Sequence, residues 1–397
     1  MVREEYWQKV RSAKEGQKLS PEDILFLLST AEREEEEVLF GAADQVRKDC
    51  VGDEVHLRGI VEFSNCCAQN CLYCGLRRDN HALVRYRMSL VEIVAAAKNA
   101  RPQGLGTVVL QSGEDPWFTR ERVIDLIRAI KEDTNLAITL SVGERPYADY
   151  LAWKKAGADR YLLKHETHSP TLFRGLRPGR ELGERLQALR WLRELGYEVG
   201  SGNIVGLPGQ TDEDLARDIQ LFIQYDFDMI GIGPFIVHPQ TPLAWAANGQ
   251  LNRTLKVLAI TRIITRDTNL PATTAAGVLD QNGRRRALSA GANVVMPDIT
   301  PPNYRQHYQI YPGKARLTLD CQEFRNWGRA QEKEAGLEWS CELERGRNSL
   351  HGYSRCLLGV GWGQNPVRGK RNPLATLGEA FKARQNPITF RRLAPSH

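Results

Sequence analysis

Cys67-Ala68-Gln69-Asn70-Cys71-Leu72-Tyr73-Cys74 places three cysteines in a CxxxCxxC spacing. Three thiolates on one short loop can occupy three irons of a cubane and leave the fourth iron open. An open iron can be chelated by an amino and a carboxylate group, such as those of S-adenosylmethionine (SAM). The cluster can then pass one electron into the S–C5′ bond, releasing methionine and a 5′-deoxyadenosyl radical. Zinc is the weaker reading, because a structural zinc site asks for four ligands, usually in two pairs. No second CxxC accompanies this one. Cys66 offers a second register, but only Cys67 gives the three-residue gap, and Cys66 is read as a bystander. Of eight cysteines, four fall within residues 66–74, and in a reducing compartment such a cluster reads as metal chemistry rather than disulfides.

Something must hold that loop. Short apolar runs recur at 55–63, 106–113, 136–143, 160–167, 198–209, 228–236, 270–277 and 292–297. Between them lie helical periods at 90–97, 123–130, 182–195 and 251–264. The alternation predicts an α/β chain, a (β/α)8 TIM-type barrel over 55–314, rather than a doubly wound open sheet. A helical segment, 1–54, precedes it, with Ser20 as N-cap and Pro21 at the first helical position. The acidic run Glu34–Glu37 reads as a solvated helix face. Residues 315–397 lose the rhythm and read as an irregular, basic C-terminal extension. The runs end in polar groups, among them Gln111-Ser112-Gly113-Glu114-Asp115, His165-Glu166-Thr167 and Thr273-Thr274. Barrel active sites form at those C-terminal strand ends. The cluster loop follows the first strand and would sit at the same mouth.

The net charge of +6 is concentrated in the tail. Residues 345–397 carry ten Lys or Arg against Glu379, so a solvated extension is expected rather than a nucleic-acid partner. No run of 18 uncharged apolar residues suggests a membrane span, and the charged N-terminus lacks a secretory pattern. A cytoplasmic address is expected.

Several segments resemble HydE, the radical SAM maturase family of FeFe-hydrogenases. They are 62–80 around the cluster loop, 110–115, 157–163, Gly200-Ser201-Gly202 through Gly206–Thr211, Gly231-Ile232-Gly233-Pro234-Phe235-Ile236, Pro271–Ala275 and Tyr311–Lys314. CxxxCxxC alone says only radical SAM; the 231–236 and 271–275 segments together narrow it.

The resemblance implies one 4Fe-4S cluster on Cys67, Cys71 and Cys74, with SAM as the second cofactor. It places Tyr73 against the adenine and Gln111, Ser112 and Thr139 on the SAM side of the cavity. Glu166 and Arg185 would fix the methionyl amino and carboxylate groups. Thr273, Thr274 and Tyr308 would lie deeper, as neutral donors to the substrate. Taken alone, Arg185 reads as helix surface and Tyr308 as core. The implied substrate is a small molecule or an iron complex, handled alongside other hydrogenase maturation proteins; no catalytic side chain is assigned. Lys164 stands where relatives carry an Arg and loses the bidentate fork. Cys321, Cys341 and Cys356 are too widely spaced for a second cluster. Methylornithine synthase and biotin synthase are the sibling readings, and an iron–sulfur carrier without SAM turnover is the reading of another class.

Overall fold

The structure is a computed structural model that describes residues 2–314 and the backbone of Glu338–Ser340. The expectations for the rest of 315–397, including the absence of a second cluster, lie outside the described residues. Ten strands follow in chain order: β1 (Glu54–Ser64), β2 (Thr107–Ser112), β3 (Ala137–Ser141), β4 (Arg160–Leu162), β5 (Glu198–Ser201), β6 (Ile204–Val205), β7 (Met229–Ile230), β8 (Gly233–Pro234), β9 (Val294–Val295) and β10 (Glu338–Ser340). All the ladders are parallel, in the order β1-β2-β3-β4-β5-β7, with β9 and β10 both on β1. This is the TIM-type barrel that the alternation predicts.

The seventh stave departs from the expected strand 270–277. It is reduced to single bridges, Met229 to Asn269 and Pro271 to Val294. Backbone bonds still close the ring there, from Ile230 N–H to the Asn269 carbonyl at 2.9 Å and Ala272 N–H to the Val294 carbonyl at 2.8 Å. Pro271 has no N–H to extend a ladder, and a helix begins at Thr274. The fifth and sixth runs also break in two. After Ser201 and Ile230 their ends leave the ring, and β6 pairs with β8 separately.

Register explains which side chains face inward, since partners in a parallel ladder share a face. Val61, Leu110, Leu140, Tyr161 and Val199 form one row across four ladders and are buried in the main core. Removing each from water is worth about 1.5–3 kcal/mol. The alternate row, Ile60, Val109, Thr139, Arg160 and Glu198, turns polar along its length. Arg58, Arg160, Glu198 and Asp228 line an interior cavity with Thr139 and Asn269. Barrel interiors are usually filled by branched apolar residues; this one carries charge.

Around the ring lie α4 (Leu90–Lys98), α5 (Arg120–Thr134), α6 (Tyr147–Ala156), α7 (Pro170–Leu176), α8 (Leu182–Glu194), α9 (Asp212–Tyr225), α10 (Leu251–Thr265), α11 (Thr274–Leu279), α12 (Gly283–Ser289) and α13 (Pro302–Arg305). Ahead of the barrel come three helices, Glu4–Lys14, Pro21–Ser29 and Arg33–Val51. Ser20 caps the second in a capping box with Asp23. The Glu34–Glu37 expectation is corrected here: Glu35 and Glu36 are buried. Glu35 accepts from Arg3 Nε and Nη2, both at 2.8 Å, from Arg3 N–H at 2.9 Å and from Thr30 Oγ1 at 2.6 Å. A carboxylate with four donors can leave water, which an acidic run by itself does not reveal.

Candidate active site

The cluster loop leaves the end of β1 and crosses β2. Ala68 N–H donates to the Glu114 carbonyl at 2.9 Å, and Gly113 N–H donates to the Ser64 carbonyl at 3.0 Å. Gly113 has to be glycine, because a Cβ there would lie 2.2 Å from the Cys66 carbonyl oxygen. Asp115, fully buried, accepts from Ser64 Oγ at 2.6 Å and from Arg87 Nε at 2.7 Å, which holds the loop's entry. On the other side Leu72 N–H donates to the Leu176 carbonyl at the end of α7, 2.9 Å away.

The three thiols share one small region. Gln69 N–H donates to Cys67 Sγ at 3.4 Å. Burial pushes the Cys67 thiol up to about 11. It raises Cys74 too, where the neighbouring Cys71 and Cys67 add to the effect. Cys67 and Cys74 pack against the same buried cluster of Leu76, Leu83 and Tyr308, and Cys74 N–H donates to the Cys71 carbonyl at 3.4 Å; binding iron asks for all three as thiolates. Among the described residues no three His, Cys, Asp or Glu side chains close round a single ion. A cubane asks for the other arrangement, one thiolate to each of three irons.

Beside the thiols the mouth is crowded with charge. Glu144 pairs with both Arg180 and Arg185 Nε. Glu114 packs against Gly143, whose φ of +78° suits glycine and whose added Cβ would fall 1.8 Å from Glu114 Cγ. Gln69 Nε2 donates to Glu114 Oε2 at 2.6 Å. Arg185 is only 3% exposed, so it belongs to the interior rather than to a helix surface. Glu166 sits at φ +69°, a left-handed conformation that is uncommon for a non-glycine and gathers at functional sites. Backbone bonds to the Gly202 carbonyl and from Ile204 N–H fix it there, at 3.0 and 2.9 Å.

Several side chains here have buried polar atoms with no hydrogen-bond partner among the described residues: Thr139 Oγ1, Glu166 Oε2, Arg177 Nε and Nη2, Arg185 Nη2 and Thr273 Oγ1. Lys164 Nζ stands 3.5 Å from Glu166 Oε2, an ion pair without a formed hydrogen bond. Buried polar groups are ordinarily satisfied. A set containing acceptors, hydroxyls and guanidinium N–H groups together suits a zwitterion with hydroxyls, which is the chemistry of SAM.

The other expected residues separate into two groups. Tyr73 packs near Leu72, Leu176 and Phe235, and its Oη accepts from Arg177 Nη1 at 3.4 Å. Gln111 reaches Glu62 Oε1 at 3.5 Å, and Ser112 Oγ donates to the Gly113 carbonyl at 2.7 Å. Tyr308, buried, packs with Leu76 and Leu83 next to Cys67 and Cys74. Thr274 lies elsewhere, its Oγ1 accepting from Arg284 Nη2 at 3.0 Å. Thr273 Oγ1 faces Gly233, 3.6 Å from where a Cβ would stand. No hydrogen bond among the described residues joins Tyr308 to either threonine.

The sequence reading did not single out Arg177 and Arg284, nor the group beneath Gln111. There Lys314 Nζ pairs with Glu62 and lies 3.4 Å from Asp298 Oδ2. Burial drives the Glu62 carboxyl well above its ordinary range, and Lys314 only partly opposes it. Cations therefore reach the region expected to offer neutral donors. Lys314 ends the Tyr311–Lys314 segment and Asp298 ends the last strand run, so their positions were visible while their convergence was not.

The radical SAM superfamily pattern matches residues 61–222. The [FeFe] hydrogenase maturase subunit HydE of Thermotoga maritima is 54% identical over 287 residues, 72% of this chain and 82% of that protein. A 3-methylornithine synthase of Methanosarcina acetivorans is 32% identical over 284 residues, 71% of this chain and 80% of that protein. Among solved structures, methylornithine synthase superposes with a TM-score of 0.75 at 28% identity, covering 84% of this chain and 97% of that one. The maturase HydG from Carboxydothermus hydrogenoformans, at 21% identity and a TM-score of 0.71 over 85% of this chain and 79% of that one, shares the fold. No described helix is long and apolar enough to cross a membrane. On its loop, its barrel and this identity, the chain belongs to the HydE family of radical SAM enzymes, which work with a 4Fe-4S cluster and SAM.

Proposed function

We propose that this chain cleaves SAM reductively inside the barrel and acts in assembly of the diiron site of FeFe-hydrogenase. Cys67, Cys71 and Cys74 are the residues that would hold the cluster. When bound, the cluster supplies one electron to the S–C5′ bond of SAM, giving methionine and the 5′-deoxyadenosyl radical. The observation that carries the reading is the set of buried atoms on Thr139, Glu166 and Arg185 without a hydrogen bond among the described residues, with Arg185 3.8 Å from Glu114, whose carbonyl accepts Ala68 N–H of the cluster loop. Arg185 offers N–H groups to the methionyl carboxylate, and Glu166 offers its free oxygen to the ammonium. Tyr73 supplies an apolar ring for the adenine, with Gln111, Ser112 and Thr139 on the same side. Thr273, Thr274 and Tyr308 face the substrate, a small molecule or iron complex. Enclosure by the ring excludes water and stray hydrogen donors. The setting is the cytoplasm, with other maturation proteins as partners and without nucleic acid.

Anaerobic reconstitution should give about four irons per chain, as one cubane requires. SAM and dithionite should then release 5′-deoxyadenosine, and the protein should activate hydrogenase in a reconstituted maturation mixture. Cubane retained after all three cysteines are changed to Ala would overturn the cluster assignment. SAM cleavage without hydrogenase activation would move the chain to a sibling activity.

A further inference from the structure

Arg177 is the C-cap of α7, and the residue before it is hydrogen-bonded to the cluster loop through Leu72. Its side chain is 5% exposed. The guanidinium lies against Phe173, Cζ 5.4 Å from the ring centroid. Nη1 donates to Tyr73 Oη at 3.4 Å, and Nη2 stands 3.5 Å from Glu114 Oε1. Nε and Nη2 have no hydrogen-bond partner among the described residues. Arg185, arriving from α8, leaves its own Nη2 unpartnered, 3.8 Å from the same Glu114 oxygen.

Two buried guanidinium groups thus lean on one carboxylate oxygen without forming a hydrogen bond to it. The other Glu114 oxygen is already taken by Gln69. Three N–H-bearing atoms are without a hydrogen bond among the described residues, and two of them lie 3.5 and 3.8 Å from Glu114 Oε1. Buried charge is tolerated when it is paired and hydrogen-bonded; here the guanidiniums are paired with Glu114 and Glu144 but remain short of hydrogen-bond acceptors. Guanidinium is the side chain suited to a planar carboxylate, which it meets with two parallel N–H bonds. Adenine is neutral and offers these groups no charged acceptor.

Building on the assignment of SAM to this end of the barrel, we propose that Arg177 is a second guanidinium for the SAM carboxylate. Together with Arg185 it forms a cradle beside Glu114 Oε1. Arg177 also donates to Tyr73, so the same side chain ties the carboxylate to the residue placed against the adenine.

The test compares SAM with decarboxylated SAM, which keeps the sulfonium, ribose and adenine and lacks only the carboxylate. Dissociation constants are measured by anaerobic equilibrium dialysis on the full, cluster-loaded chain, with iron content and the EPR spectrum checked for each variant. Arg177→Gln should weaken SAM by roughly tenfold to a hundredfold, the usual range for losing a charged donor. Arg177→Lys should fall between, since it keeps charge without the fork. Decarboxylated SAM should bind all three proteins alike. Equal losses for the two ligands would mean that Arg177 only props Tyr73 and Phe173, and no loss for SAM would equally overturn the proposal. If Arg177→Gln cannot be loaded with cluster, the ratio of the two ligands in Arg177→Lys decides between the same outcomes. A native protein that binds neither ligand would instead refute the SAM assignment beneath it.

Discussion

Glu35 in the N-terminal helical segment and the guanidinium groups at the barrel mouth are all charges taken out of water, and they differ in what they meet. Glu35 accepts four hydrogen bonds from Arg3 and Thr30. Arg177 and Arg185 keep N–H groups that form no hydrogen bond among the described residues. A fully partnered buried charge is part of the scaffold, costly to break and indifferent to ligands. One left short of partners marks where the protein expects something else to bind. Burial and charge alone do not separate the two; counting acceptors against donors does.

The mouth should respond most. Arg185→Ala removes a guanidinium that already touches Glu144 and has donors to spare. SAM affinity should fall about ten- to a hundredfold, from a loss of about 1.5–3 kcal/mol, measured by equilibrium dialysis. An Arg185→Ala protein with native SAM affinity would erase the contrast with Glu35.

Thr273→Val sharpens the comparison within the barrel. Its hydroxyl is unpartnered like the mouth residues but sits on the seventh-stave side. Hydrogenase activation should drop several-fold, about 1 kcal/mol for one neutral hydrogen bond, by more than 5′-deoxyadenosine release does. Equal losses in the two assays would merge the two ends of the cavity into one.

Glu35→Gln should leave SAM binding alone and cost about 1–3 kcal/mol of stability, read from denaturant melts. Arg3, with Thr30 assisting, pulls the Glu35 carboxyl down to about 2. Its contribution is therefore complete above the ordinary carboxyl value near 4.5 and is lost as pH falls toward 2. The gap between native and variant stability should narrow over that interval. A gap that widened would mean that Glu35 is not the anion the geometry makes it.

The barrel was legible because strand–helix alternation repeats and each repeat carries its own hydrophobic pattern. Cys67, Cys71 and Cys74 were legible because their ligand spacing is local. Arg177 was not, since nothing in Leu176-Arg177-Pro178 announces that the α7 end will be hydrogen-bonded to Leu72. Lys314 and Glu62 are far apart in sequence, and only closure of the ring brings them together. The seventh strand was overdrawn because Leu270–Gly277 has an apolar composition that suits a strand or a buried helix equally.

Mechanically, a ring whose staves are laddered from β1 through β5 but only bridged at Asn269 and Pro271 is a hoop with a seam. Asn293 stitches that seam, its Oδ1 accepting Leu270 N–H at 2.8 Å and its Nδ2 donating to Asn269 Oδ1 at 3.0 Å. Widening the hoop there, next to Thr273 and Thr274, would have to part these side-chain bonds as well as the backbone ones.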